Sequence, residues 1–206
     1  MKYETDKFDN GLIWDYSTLL SPLKYKKITL MEIGVAVGGS IDYWADYLKH
    51  PDSKIVGVDC RLPKVDLIDI NLTAAGKKVK LSLFSTERAF PKNVVIYECN
   101  QNDSQSLRAI AEKHGPFDII IDDASHHKAE TENCFNVLFD HVNLGGYYVI
   151  EDWNVGYRYS ESHYQGMVEV ITNIVKHVPQ LGIEEMNIIL KQKKAVAFFR
   201  KGQFCT

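Results

Sequence analysis

With 206 residues, 45% of them hydrophobic and 25% charged, the chain has the make-up of one globular domain large enough to bury a core. A formal net charge of −3 is the wrong sign for a nucleic-acid partner, and no run of 18 apolar residues exists to cross a membrane. Cys60, Cys99, Cys134 and Cys205 are scattered without a C-x-x-C pair, which fits reduced thiols in a cytoplasm better than a disulfide framework or a zinc site.

The first ten residues, MKYETDKFDN, contain no apolar core of a signal sequence, so no secretory leader is expected. Residues 1–27 form an N-terminal segment ahead of the first strand. In it Leu12, Ile13, Tyr16, Leu19 and Leu20 fall at helical spacing until Ser21-Pro22 ends the run. Two readings stand side by side: a helix packed on the sheet edge, or a cap over a cofactor with Tyr16 facing it.

The apolar run at 28–33 turns at Gly34 and closes on Gly38, Gly39 and Ser40. Ile41, Trp44, Ala45 and Leu48 then recur at helical spacing, with Ser40 as N-cap and Pro51 as stop. Strand, glycine turn and helix make the nucleotide-binding corner of a doubly wound α/β sheet, where glycines let a ligand approach the backbone. The string Gly34-Val35-Ala36-Val37-Gly38-Gly39 puts Ala36 at the middle glycine of a dinucleotide fingerprint. Glu32, at the end of the strand, repels a pyrophosphate but welcomes the cationic amino-acid end of S-adenosylmethionine. Both features count against a nicotinamide oxidoreductase. Asp59 ends the second strand, 54–59, and suits a ribose diol.

From Cys60 to Asn93 the chain spends 34 residues before the next strand, VVIYE at 94–98. That is long for a crossover, with room for a helix plus a lid, an insertion or an oligomer contact. Val79, Leu81 and Leu83 alternate, while Leu67, Ile68 and Ile70 fit no single period. A helix at 104–114 ends at Gly115-Pro116, and a buried strand follows at 117–123. A helix is predicted over about 128–142, then a strand at 147–152. After an aromatic loop, an amphipathic helix carries Met167, Val170, Ile171, Ile174, Val175 and Val178. The end reads as a β-hairpin turning at Gln192–Lys194. Alternating strands and helices closed by an antiparallel pair predict a single-domain Rossmann-like α/β fold over 1–206, with a seven-stranded, mostly parallel sheet.

The chemistry concentrates at IDDASHH, 121–127, and IED, 150–152. Both lie at carboxyl ends of apolar strands, which brings Asp122, Asp123, Glu151 and Asp152 into one region. Crowded carboxylates repel unless protonated or bound to a cation, and all-oxygen ligands suit Mg²⁺. His126, three residues after Asp123, is placed to act as a general base.

Taken together, LMEIGVAVGGSIDYW, IVGVD, IDDASHH and GGYYVIEDW resemble the metal-dependent sugar O-methyltransferases of the macrocin and mycinamicin type, over residues 5–153. The resemblance implies the class I methyltransferase fold, S-adenosylmethionine as cofactor and Mg²⁺ or a similar divalent ion. It implies Asp123, Glu151 and Asp152 as metal ligands, His126 as base, and Glu32, Gly34, Ser40, Asp59, Gln101 and Asp122 as cofactor-binding positions. The implied acceptor is a sugar hydroxyl of a glycosylated natural product; a homo-oligomer is compatible with it. Two departures stand out. Ala124 replaces a usual glycine, and Asn100 replaces the acidic residue of a G-D-Q-x-D segment. Methylation of a catechol-type diol, or binding of the cofactor without transfer, are the competing functions. Trp153, Tyr157 and Tyr159 suit stacking on a sugar or plain packing equally.

Overall fold

The computed structural model describes residues 3–62, 67–74, 76–84, 93–191 and 194–203. In chain order its elements begin with α1 (Leu12–Leu20), β1 (Thr29–Ile33), α2 (Gly39–Tyr47), β2 (Lys54–Asp59), β3 (Leu67–Ala74) and β4 (Lys77–Phe84). β5 (Val94–Glu98), α3 (Ser104–His114), β6 (Phe117–Asp122), α4 (Lys128–Leu138) and β7 (Val142–Glu151) follow. The chain closes with α5 (Val155–Arg158), α6 (Met167–Lys176), α7 (Val178–Leu181), β8 (Ile183–Leu190) and β9 (Ala195–Lys201).

The strands form one sheet in the order β3-β4-β5-β2-β1-β6-β7-β9-β8. β5, β2, β1, β6 and β7 are parallel, and β9 and β8 are antiparallel. These are the seven strands expected. The β3–β4 hairpin adds two more, giving nine. Of the predicted turn at Gln192–Lys194, Gln192 and Lys193 lie outside the described residues, as does Cys205.

Two expectations change. Among the described residues, the stretch between Cys60 and Asn93 holds a hairpin and no helix. β4 pairs antiparallel with β5 through Ser82↔Glu98 and Leu83↔Tyr97. β3, not β4, is the edge strand, and the alternation at Val79 is that of a strand with one face on the core, with Val79 and Leu72 turned into it. Residues 63–66, 75 and 85–92 of this stretch lie outside the described residues. The helix expected over 128–142 stops at Leu138, and a 3₁₀ turn at Phe139–His141 leads straight into β7. There Val142 already pairs with Phe117, and Gly145, at φ 77, carries the chain through a register shift. Strand pairing wins over helical periodicity for those residues.

The central strands alternate between two cores. Met31, Ile33, Val56, Ile120, Tyr148 and Ile150 pack on one face, toward α3, α4 and α6. Leu30, Ile55, Ile119, Ile121, Val149 and Phe198 pack on the other, under α1 and α2. α1 thus covers a sheet face through buried Leu12, Ile13, Tyr16 and Leu20. The Tyr16 ring meets Trp44 and Phe198 edge-on, at 5.1 and 5.2 Å between centroids. Burying side chains of this size stabilises by roughly 1.5–3 kcal/mol each.

Candidate active site

Strand parity places the acidic residues. In the sheet Glu32 pairs with Ile121, and Asp122 pairs with Ile150. One step further along, Asp123 and Glu151 fall side by side on the parity of Ile121 and Val149, the face beneath α1 and α2. Glu32 shares that parity. Asp122 has the opposite one, and points toward the α4 side with its Oδ1 accepting from Gln101 Nε2 at 2.9 Å. The four acidic residues at the two sequence motifs therefore do not form one group. This split is readable from the period of two, but the counter-charge is not.

That counter-charge is Lys7, in the N-terminal segment. Its Nζ lies 2.5 Å from Asp123 Oδ2, 2.7 Å from Glu151 Oε1 and 3.5 Å from Glu32 Oε1, with the side chain 1% exposed. Burial alone would lower the Lys7 pKa, but Asp123, Glu151 and Glu32 outweigh it and hold the ammonium well above the ordinary lysine range. The Asp123 carboxyl is held below its usual value, because Lys7 overcomes the effect of burial. Burial pushes Glu151 up to about 7, with the Asp123 charge adding to it and Lys7 opposing. Tyr16 donates its hydroxyl to the same Glu151 Oε1 at 2.5 Å. Tyr16 thus faces a carboxylate of the acidic cluster, and the helix carrying it covers a face of the sheet.

His126 and Asp152 complete the cluster. His126 Nε2 stands 3.8 Å from Asp123 Oδ1 and 3.7 Å from Asp152 Oδ2. Burial lowers the His126 pKa, against the pull of Asp123 and Asp152, so the ring is neutral near pH 7. Asp152 is braced by Lys194 at 3.1 Å and Arg158 at 3.2 Å. His126 and Asp152 sit at φ 54 and 52, and Ala36 at 47, the three non-glycine residues at positive φ among those described. Such conformations cost of order 1–3 kcal/mol each and persist where the surrounding structure imposes them. All three flank the same site.

Two hollows meet at this cluster. One, of about 350 Å³, is lined by Gly34, Ala36, Asp59, Asn100, Gln101, Asp123 and His127, among others. The second, of about 710 Å³, is lined by Asp6, His126, Asp152, Arg158, Tyr159 and Lys194, among others. In the first, Asp59 Oδ2 accepts from Val35 and Ala36 N–H at 2.9 and 2.8 Å, fixing the turn. Gln101 spends both ends on the protein, donating to Asp122 and accepting from Ser125 N–H at 3.1 Å. Asn100 Oδ1 accepts from Asn102 N–H at 2.8 Å. Glu32 and Ser40 lie behind the cavity wall, bonded to each other at 2.8 Å. Ser40 is not the helix cap: Gly38, at φ 86, is, because the Ser40 hydroxyl is committed to Glu32.

The glycines of the corner admit protein backbone. A Cβ at Gly34 would overlap the Asp123 carbonyl, and one at Gly39 would overlap the Glu4 carbonyl. Gly34 still lines the first cavity, while Gly39 serves the N-terminal segment. Of the aromatic residues proposed for stacking, Trp153 is in the core, Tyr159 lines the larger cleft, and Tyr157 is 69% exposed outside it.

The donor set suits a hard divalent ion. Asp123, His126 and Asp152 offer ligand atoms within 4.8 Å of one another. Glu151 is not one of these three, but its Oε2 is buried with no hydrogen-bond partner among the described residues. Sequence reasoning missed Lys7, Lys194 and Arg158: the two lysines lie far from both acidic motifs in the chain, Arg158 ends the four-residue helix α5, too short to show a period, and no periodicity marks any of them.

Similarity to known proteins agrees with this architecture. No family model matches the chain. It is 30% identical over 167 residues to L-olivosyl-oleandolide 3-O-methyltransferase of Streptomyces antibioticus, covering 76% of this chain and 36% of that one. It is 30% identical over 166 residues to mycinamicin VI 2''-O-methyltransferase of Micromonospora griseorubida, covering 76% and 35%. The chain thus spans about a third of the length of these relatives. Among solved structures, the MycE methyltransferase of the mycinamycin pathway, in complex with Mg, SAH and mycinamycin VI, superposes with a TM-score of 0.68. That match has 24% identity and covers 93% of this chain and 49% of the other.

Proposed function

From a chain with the class I methyltransferase fold that resembles the antibiotic sugar O-methyltransferases, we propose a metal-dependent, S-adenosylmethionine-dependent O-methyltransferase acting on a hydroxyl of a sugar or glycosylated natural product. The observation that carries this reading is the cluster of Asp123, His126 and Asp152 at the meeting point of two cavities. When bound, S-adenosylmethionine supplies the methyl group, and a divalent ion supplies the positive charge that favours loss of the acceptor proton.

The residues divide the work. Asp59 and the Gly34–Ala36 turn line the smaller cavity and receive the cofactor; Gln101 and Asp122 hold the Asp122–Ser125 loop that forms its wall. Glu32 and Ser40 support that corner from behind. Asp123, Glu151 and Asp152 hold the ion, Glu151 through its open Oε2. His126 lines the larger cleft, is neutral near pH 7 and acts as the base for the acceptor proton rather than as an ion ligand. Tyr159 lines the cleft as a surface for a sugar face, and Lys194 and Arg158 hold Asp152 in place. Aligning acceptor and methyl donor across the shared wall can be worth ~7–11 kcal/mol.

The acceptor is a small glycoside, in keeping with the net charge of −3 and with a chain in which no described helix is long and apolar enough to cross a membrane. Unpaired Cys60, Cys99 and Cys134 support a reducing, cytoplasmic setting. The test is methyl transfer from S-adenosylmethionine to a panel of glycosides and a panel of catechols, with and without chelator. Glycoside methylation lost in chelator is expected. Turnover of catechols alone would move the acceptor class, and no turnover of any acceptor would favour a binding protein.

A further inference from the structure

Asp123 and Glu151 are each gripped by one oxygen from behind. Lys7 Nζ takes Asp123 Oδ2 and Glu151 Oε1, and the Tyr16 hydroxyl takes Glu151 Oε1 as well. The other oxygen of each is left over: Asp123 Oδ1 points to the His126 side, and Glu151 Oε2 has no hydrogen-bond partner among the described residues. We propose that Lys7 and Tyr16 are positioning residues, a clamp supplied by the N-terminal segment that turns Asp123 Oδ1 and Glu151 Oε2 toward a bound divalent ion. The inference rests on reading the acidic cluster as an ion site.

The clamp is itself fixed. The Lys7 carbonyl accepts from Ile13 N–H at 3.1 Å, tying it to the start of α1. Next to it, Asp6 pairs with Lys194 at 2.8 Å. Tyr3, Phe8 and Tyr43 join in ring contacts 5.5–5.9 Å apart, and the Glu4 backbone lies on Gly39. The Tyr16 ring is held between Trp44 and Phe198. A rigid donor behind a carboxylate fixes which lone pairs remain for an ion, and such outer partners commonly matter 10–100-fold in metal affinity.

The sign of one substitution separates a clamp from a competitor. Lys7 carries a positive charge beside the ion site, so by Coulomb's law alone its removal tightens ion binding. Loss of orientation weakens it. The experiment titrates the intact chain with Mn²⁺ by calorimetry, alongside Tyr16→Phe and Lys7→Met, with thermal melts in chelator to verify folding. Tyr16→Phe keeps the ring packing and removes only the donor, so it decides the matter even if Lys7→Met fails to fold. The clamp predicts Mn²⁺ binding weaker by about tenfold in Tyr16→Phe and by about 10–100-fold in Lys7→Met. Unchanged affinity in Tyr16→Phe, or tighter binding in Lys7→Met, would overturn it. If the unsubstituted chain binds no Mn²⁺, the ion site itself is wrong and the clamp falls with it, a result visible before any variant is made.

Discussion

His126 and His127 are adjacent in the chain and serve opposite sides of one wall: the first lines the cleft with Asp152, the second lines the cavity with Gly34 and Asp59. His127 is engaged there, with Nδ1 3.6 Å from Glu130 Oε1 and its ring edge-on to Tyr164. Of the two, only His126 lines the cleft proposed for the acceptor. His126→Ala is expected to lower kcat by about 10²–10⁴-fold while cofactor affinity, read by calorimetry, stays nearly unchanged. His127→Ala should cost much less. Loss of activity in His127→Ala with His126→Ala intact would reverse the assignment.

The rate should depend on pH in a definite direction. A base must be unprotonated, and burial lowers the His126 pKa from 6.5. If His126 is the base, its contribution to the rate should be lost as pH drops through a value below 6.5. A rate profile of the unsubstituted chain should contain that limb, and His126→Ala should lack it. The same limb in both proteins would place the titrating group elsewhere.

Chelator should abolish turnover and Mg²⁺ restore it. Asp123→Asn and Asp152→Asn should each need far more Mg²⁺, because each removes a charged candidate ligand from the cluster. Full activity of the unsubstituted chain in chelator would mean that the carboxylates serve another purpose.

Cofactor binding should depend on Asp59. Its carboxylate fixes the Val35–Ala36 turn through two N–H bonds and faces the cavity. S-adenosylhomocysteine should bind at micromolar levels, roughly −8 kcal/mol. Removing hydrogen bonds to a charged group costs about 1.5–3 kcal/mol, so Asp59→Ala should bind about 10–100-fold more weakly. Tight binding of NAD with none of the sulfonium cofactor or its product would sink the methyltransferase reading.

Gly39→Ala tests how the N-terminal segment is seated. A methyl there meets the Glu4 backbone, which cannot rotate away as a side chain can. Strain of this kind typically costs 1–3 kcal/mol. A lower melting temperature is expected, together with weaker Mn²⁺ binding if Lys7 shifts with its segment. An unchanged melt would show that residues 3–7 relocate freely.

The parts of this protein legible in one dimension were those that repeat or cluster along the chain. Apolar runs ending in Glu32, Asp59, Asp123 and Asp152, separated by helical periods, specify a parallel α/β sheet, because buried strands and amphipathic helices each need their own spacing. The glycine corner and the two acidic motifs pointed to the candidate site for the same reason. The crossover between Cys60 and Asn93 was opaque, since an edge hairpin with one wet face leaves only a weak alternation and its partner, β5, comes later in sequence. Lys7 was opaque for a stronger reason. It meets Asp123 and Glu151 across 116 and 144 residues, and nothing in a local pattern encodes which cation will enter a pocket of buried carboxylates. Only the folded chain decides that, because a buried charge must be paired wherever the partner comes from.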